Sequence, residues 1–388
     1  VKILVTADSQ LGKGLDLYPE RLAEQEDVWA QTLALALHHG CDAVLHAGDV
    51  YEDRKPDDTV RAAFQRPLVG YALPVVAVVG NHDVRRGDLP TAVQLAGVEL
   101  GGGLLQVSRA PELILVAGAV IATVPWTDLG AMLAVQDGGD RRAVYETAER
   151  HLFAIAAALE QQARREHPGL PVVLLGHWAV DCVWPANIDA HEPLLDVDAL
   201  EAVGFDAVAF GHVHTPFTDG SFCSPGSPMC LSFGEAQDRH GVWILEVEPG
   251  GCRWEFVPVE SRPFVTLDWD VDAVEATLAV DQRSTRRWTS IVDGAVVRVK
   301  YTATEEEARS IDEGQLRKAL YAAGAHRVWQ IKADVDRQSR ARVAAMTTSL
   351  SPLAAWDQWW TAQHPDEAPD VRVACRARAA RILNEVAA

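Results

Sequence analysis

The sequence has no long apolar run. Nothing in its 388 residues approaches the ~20 consecutive apolar residues of a membrane-spanning helix. It is also short of positive charge, with 35 Lys and Arg against 55 Asp and Glu, a formal net charge of −20 at pH 7. Such a surface has no blanket attraction for nucleic acid. A nucleic-acid partner would have to be met through a local patch, bound cations or another protein. The same acidity also serves plain solubility. Six cysteines are scattered over the chain (Cys41, Cys182, Cys223, Cys230, Cys252 and Cys375), and no two form a CxxC pair. That suits a reducing compartment better than a disulfide framework. The first residues have no basic n-region and no cleavage pattern, so they read as core strand rather than signal peptide. The expected location is the cytoplasm, with no membrane partner. Sequence-length repeats and low-complexity tracts are absent too.

What is present supports two or three globular domains, with 48% hydrophobic residues to fill them. "KILVTAD", "DAVLHAGD", "PVVAVVGNHD", "PVVLLGHW" and "DAVAFGHVH" are short apolar runs suited to buried strands. Helical patterns separate them. One follows Pro19, with Leu22, Trp29, Leu33 and Leu37 near one face. Another lies near 58–70, and a long one near 141–166 carries Val144, Ala148, Leu152, Ile155 and Leu159. Strands alternating with helices predict an α/β sandwich with helices outside. Beyond GHVH the pattern turns to short β segments, "VWILEVE" and "CRWEFVPVE". A new strand–helix–strand–helix–strand unit begins at "RPFVTLDWDV", its second helix opened by a Thr304/Glu307 capping box. The tail reads as helical, with starts at Ser351-Pro352 and Asp370. The expected domains are 1–262, 263–336 and 337–388.

Each of the five apolar runs ends in a compact polar group, and ligands gather at the carboxyl ends of strands in such sheets. The order is Asp8-Ser-Gln10, Asp49, Asn81-His82, His177, then His212 and His214. Taken singly, an Asp at a strand end is a cap or turn residue and a His is packing. As an ordered set they are the mixed oxygen and nitrogen donors that a pair of divalent ions needs. Asp49 is the natural bridge, and manganese, iron or zinc fits better than calcium.

On these residues the chain resembles the calcineurin-like metallophosphoesterases, and more narrowly the SbcD-type nuclease subunit of double-strand-break repair complexes. "GSPMCLSFGEAQDRHGVWILEV" resembles that group's GS…SFGE segment, and "RPFVTLDWDV" resembles the opening of its capping domain. The resemblance implies a four-layer α/β/β/α phosphoesterase domain, a small α+β capping domain that helps orient DNA, and a helical C-terminal tail. It implies hydrolysis of DNA phosphodiesters with two divalent metal ions, manganese by expectation. Asp8, Asp49 and His214 would hold one ion, with Gln10 standing where the family has a His ligand. Asp49, Asn81, His177 and His212 would hold the other. His82 would lie beside the scissile phosphate as the catalytic acid or transition-state stabiliser, and the attacking group would be a water activated by the metals. Glu52 stands in "GDVYEDRKP" where some relatives carry a His linked to exonuclease action, so polarity and end handling stay open.

The family tail docks on the coiled coil of an SbcC-type ATPase, and the phosphoesterase domain commonly dimerises. Here Leu353, Trp356, Trp359 and Trp360 make a stripe at helical spacing. Val371, Cys375, Ala379, Ile382 and Val386 make a second one. Such faces equally suit packing on the chain's own core. "RQSRAR" at 337–342 is either a phosphate contact or a solvated linker. Two other readings of the whole chain remain open: a general phosphodiesterase or phosphatase on the same fold, and a DNA-end-binding scaffold whose turnover is weakened at Gln10.

Overall fold

A computed structural model describes residues 1–84, 89–101, 103–127, 141–184, 192–279, 290–335, 350–365 and 368–387. The stretch at 337–342 lies outside them. Contact density divides the chain into two compact units. The first comprises Val1–Thr266, Gln282–Arg298 and Lys318–Gln330, and the second comprises Leu267–Asp281, Val299–Arg317 and Ile331–Ala388.

The first unit is built on two six-stranded sheets. One has the order β14 (Gly251–Pro258), β13 (Gly241–Glu248), β1 (Lys2–Thr6), β2 (Ala43–His46), β3 (Val75–Val78), β4 (Leu105–Ser108). The other has the order β11 (Phe217–Asp219), β12 (Phe222–Ser224), β10 (Ala207–Gly211), β7 (Val172–His177), β6 (Ala119–Val124), β5 (Glu112–Val116). A two-stranded ladder, β8 (Ala179–Val180) with β9 (Leu194–Leu195), follows β7. The runs β1–β2–β3–β4 and β6–β7–β10 are parallel, so their carboxyl ends share an edge.

Alternation along each strand explains the layering. Ile3 and Val5 of β1, Val76 and Val78 of β3, and Val173 and Leu175 of β7 belong to one buried cluster between the sheets. Their neighbours Leu4, Val44, Val75 and Ala77 turn the other way and pack with Val28, Trp29 and Leu33 of helix α1 (Arg21–His38). On the far side, Val172, Leu174 and Val208 pack with Leu152, Ala156 and Leu159. Strands buried on both faces must be apolar at every position, which is why these runs are continuous. The result is four layers, α/β/β/α.

The helices follow from local chemistry. Asp57 caps α2 (Asp58–Gln65) by accepting from the Val60 N–H at 2.9 Å. That helix ends at Gln65 and passes into a 3₁₀ turn, Arg66–Leu68, because Pro67 cannot continue the ladder. Helix α3 (Ala92–Glu99) carries a Thr91/Gln94 capping box. Helix α4 (Arg141–Glu166) buries Val144, Ala148, Leu152 and Leu159. In α1 the expected face is corrected at one position: Leu37 is 50% exposed. At ~100° per residue it lies about 70° from the centre of the face that Trp29, Leu33 and Ala36 define, beyond the edge set by Leu33. Helix α5 (Val197–Ala202) leads into β10.

Past β14, strands β15 (Phe264–Asp270), β16 (Val296–Ala303) and β17 (Arg327–Val335) pair in that order. Helix α6 (Val271–Ala279) follows β15, and α7 (Glu305–Ser310) follows β16. The Thr304/Glu307 box that opens α7 is complete in both directions. Helix α8 (Glu313–Ala322) precedes β17. Helix α9 (Pro352–Gln363) starts with Ser351 accepting from the Ala354 N–H. It meets α10 (Pro369–Ala387) through an Asp357–Arg376 ion pair at 2.8 Å. Trp356 and Trp360 stack with ring centroids 4.9 Å apart.

Candidate metal centre

The loops after β1, β2, β3, β7 and β10 carry the polar groups. Asp8, Gln10, Asp49 and His177 are all nearly or fully buried. Among the described residues five non-glycine positions have positive φ, and four lie here: Asp8 (50°), Gln10 (37°), Asp49 (54°) and His212 (107°). Backbone held in this region costs free energy and persists only where the surroundings enforce it, so the strain is concentrated on these loops. The loops are hydrogen-bonded to one another. The Asp8 N–H donates to Gly48 O at 3.0 Å, and that of Gln10 donates to Asp49 O at 3.0 Å. Asp83, buried, accepts from the N–H groups of Gly80, Val50 and Tyr51 and so ties the GNHD turn to the Asp49 loop. Burial, reinforced by the charge of Asp49, pushes its carboxyl up to about 7.

Two glycines are required by close approach. A β-carbon on Gly48 (φ +92°) would stand 2.4 Å from His177 Nδ1. One on Gly80 would stand 2.1 Å from Asp49 Oδ1. The GD and GNHD spellings thus describe how tightly the loops meet.

Three histidines reach the centre, and each has one ring nitrogen pinned by an acceptor. His177 Nδ1 lies 2.6 Å from Ala47 O, His212 Nε2 lies 2.8 Å from Glu192 Oε1, and His214 Nδ1 lies 3.0 Å from Glu235 Oε1. A carbonyl or carboxylate only accepts, so the pinned nitrogen carries the hydrogen and the other ring nitrogen of the neutral imidazole is left with a lone pair. Those lone pairs face further acceptors. His177 Nε2 is 3.0 Å from Asn81 Oδ1 and 3.4 Å from Asp49 Oδ2. His212 Nδ1 is 3.0 Å from Asn81 Oδ1, and His214 Nε2 is 3.9 Å from Asp8 Oδ1.

Asp8, Asp49 and His177 offer ligand atoms within 4.8 Å of one another. The Gln10 amide Nε2 lies 3.2 Å from His214 Nε2, and its Oε1 is buried without a hydrogen-bond partner. A cluster of acceptors with an orphaned amide oxygen calls for positive charge. Without a metal, protons answer that call. Burial opposes a charged His177, but the Asp49 carboxylate outweighs it and raises the imidazole to about 9. Burial likewise acts against an ionised Asp49, yet His177 and His82 hold it below the usual carboxylate range. Asp8 is raised, chiefly by burial. Mixed carboxylate, amide and imidazole donors fit a divalent cation.

Among the sequence-predicted residues, His214 meets Gln10 and Asp8, while Asn81 meets both His177 and His212; Asp49 meets His177 and shares one cluster of ligand atoms with it and Asp8. His82 stands apart, with its side chain about one-third exposed. Its backbone N–H donates to Asp49 Oδ1 at 2.8 Å, and its Nδ1 donates to Glu52 O at 2.7 Å. It shares a surface pocket with Glu52, Asp53, Arg54, Lys55 and Asn81. Glu52 in turn pairs with Lys13 Nζ at 3.1 Å.

Sequence reasoning missed the outer partners. Glu192 and Glu235 hold His212 and His214, but only the fold brings them near, and SFGE was the only spelling that pointed to either. The His212 ring stacks with two indoles, Trp126 (ring centroids 5.4 Å apart, 24° between planes) and Trp184 (6.4 Å, 9°). No spacing in the sequence signals that stacking.

A four-layer sandwich with acidic, amide and imidazole groups gathered at one strand-end edge defines a metal-dependent phosphoester hydrolase. Residues 1–216 match the profile of the family described as Calcineurin-like phosphoesterase, and the chain belongs to that family. It is similar to the "DNA double-strand break repair protein Mre11" of Halobacterium salinarum, 27% identical over 78% of this chain and 70% of that one. It is also similar to the SbcD component of the nuclease SbcCD of Escherichia coli, 26% identical over 72% of this chain and 73% of that one. The Bacillus subtilis protein of the same name is 26% identical over 68% and 71%. Among the described residues no helix is long and apolar enough to cross a membrane.

Proposed function

We propose that this protein is a metal-dependent DNA nuclease, the nuclease subunit of an SbcCD-like repair complex, and that it acts with two manganese ions. Asp8, Gln10, Asp49 and His214 hold one ion, and Asp49, Asn81, His177 and His212 hold the other. The observation that carries the reading is the convergence of acceptors on Asp49 from both sheets, supported by relatives named as nucleases and as a break-repair protein. Two divalent ions, when bound, supply positive charge to a phosphodiester and make water more acidic. That charge also offsets the −20 of the chain where DNA would approach.

The chain's own residues do the rest. The pinned nitrogens keep the three imidazoles in the tautomer that offers a lone pair to a cation. Asp49 is held by the His82 N–H, so the turn that carries His82 is in register with the centre. With Nδ1 committed to Glu52 O, the His82 Nε2 is the nitrogen available to a substrate, and in the imidazolium form it donates a proton to the departing oxygen. Residues 263–336 act as a capping domain that orients DNA. The tail, 337–388, binds an SbcC-type coiled-coil ATPase through the tryptophan-bearing α9 and through α10, and the phosphoesterase domain dimerises.

The test is incubation of the purified protein with end-labelled single- and double-stranded DNA, with manganese or with EDTA. Manganese-dependent cleavage is the expected result. Hydrolysis of small phosphoesters alone would replace the nuclease by a general phosphodiesterase. DNA binding without cleavage would make the protein a scaffold.

A further inference from the structure

The segment GSPMCLSFGE contributes no ligand, yet its last residue reaches the centre. Glu235 is largely buried, and each of its carboxylate oxygens is engaged. Oε1 is 3.0 Å from His214 Nδ1 and 3.3 Å from Ser232 Oγ, and Oε2 accepts from the Leu231 N–H at 2.9 Å. The backbone around it is fixed as well. The Ser227 N–H donates to His214 O at 3.0 Å, and the Asp238 N–H donates to Glu235 O at 3.0 Å. The His240 ring lies 3.2 Å from both Ser227 O and Glu235 O. The loop is folded around this one carboxylate and holds it against His214 through both oxygens.

His177 presents its hydrogen-bearing nitrogen to a neutral carbonyl, whereas His212 and His214 present theirs to carboxylates, Glu192 and Glu235. Of these two, His214 is the one beside the neutral amide of Gln10. A carboxylate behind an imidazole fixes its tautomer and ring orientation and raises the basicity of the far nitrogen. We infer that Glu235 is a positioning residue of the Gln10 side of the centre: acting through His214, it sets the affinity of that side for a divalent cation. The inference rests on the two-metal reading above, because His214 needs a cation to bind. Glu235 itself touches neither ion nor substrate.

The experiment uses the metal-stripped full chain and manganese alone, followed by calorimetry and by the electron paramagnetic resonance signal of free manganese. Glu235→Gln keeps the shape and an acceptor and removes the charge. The expected result is that the weaker of the two sites loses ~10–100-fold in affinity. The tighter site should stay within twofold, and the melting temperature in EDTA should be unchanged. Glu235→Asp keeps the charge one methylene further off and should fall between the unaltered protein and Glu235→Gln. Glu235→Gln binding both ions as the unaltered protein does would overturn the inference and leave the two-metal reading standing. Equal weakening of both sites would also overturn it. If both variants fail to fold, Glu235 is structural and the assignment is wrong. No manganese uptake by the unaltered protein would overturn the two-metal reading and the inference together.

Discussion

The backbone N–H of His82, not its imidazole, holds Asp49: the nitrogen donates to Asp49 Oδ1 at 2.8 Å while the ring turns away to Glu52. The position therefore carries two separable roles. His82→Ala keeps the N–H and removes the ring. Manganese binding by calorimetry should be unchanged, and DNA cleavage should fall ~10²–10⁴-fold, the contribution of a positioned proton donor. Cleavage at the normal rate would remove His82 from the chemistry.

Gly80 packs against the same carboxylate. In Gly80→Ala the new methyl would meet Asp49 Oδ1 at 2.1 Å and the Asp49 backbone nitrogen at 2.4 Å. Backbone cannot yield as a side-chain tip does, so unfolding by urea in EDTA should show a loss of ~1–3 kcal/mol. Gly103→Ala, where nothing lies within 4 Å of the added carbon, is the control and should be near neutral.

His46 gives a pH signature. Its imidazole is fully buried, with Nε2 2.8 Å from Ser9 Oγ, and burial pushes its pKa from 6.5 down to about 3. Between those two values the unfolded chain binds a proton that the folded chain refuses. Stability therefore falls as pH drops through the window from 6.5 to 3. His46→Gln removes this titration and keeps a hydrogen-bonding group for Ser9. From pH 6 to pH 4, in EDTA, the unaltered protein should lose about 1.4 kcal/mol more per pH unit than the variant. Parallel pH curves would mean that His46 is protonated inside the fold.

Gln10 places a neutral amide beside His214, and imidazole is the better donor to transition metals. Gln10→His should bring the two manganese affinities together, tightening the weaker by on the order of tenfold. It should lower the manganese needed for cleavage and leave the rate at saturating metal unchanged. Calorimetric titration of both proteins decides it: two equal, tight sites in the unaltered chain would mean that Gln10 is already a sufficient ligand.

How much of this was legible depended on the reach of each interaction. Strands β1, β2, β3, β7 and β10 were legible because burial on both faces demands unbroken apolar sequence, and their polar ends stood out against it. The Thr304/Glu307 box was legible because both partners sit within one turn. Between 84 and 140 no element stands out from the residue pattern, yet α3 and β4, β5 and β6 lie there. The turn between β5 and β6 is Ala117-Gly118, with φ of 51° and 85°. Alanine is a poor marker for a left-handed turn, so "LILVAGAVIATV" reads as one run rather than two paired strands. In the centre, the acidic, amide and imidazole groups could be read from strand ends. Those that aim them could not. Glu235 is 21 positions from His214, Trp126 is 86 from His212, and no periodicity links them.

The centre draws on both sheets. Asp8, Gln10, Asp49 and Asn81 come from loops of the β1–β3 sheet, while His177, His212 and His214 come from the sheet that holds β7 and β10. The two halves are kept apart by the side chains between the sheets, which near this end include Ala7, Ala47 and Val78 from one sheet and Leu175 and Ala209 from the other, all fully buried. The sheets act as the jaws of a caliper, with these side chains as its stop. Enlarging Ala209 would open the jaws without altering any of the centre's seven residues. It would move Asp49 away from His177 while leaving Asp8 and Asp49, which ride on the same jaw, at their present separation.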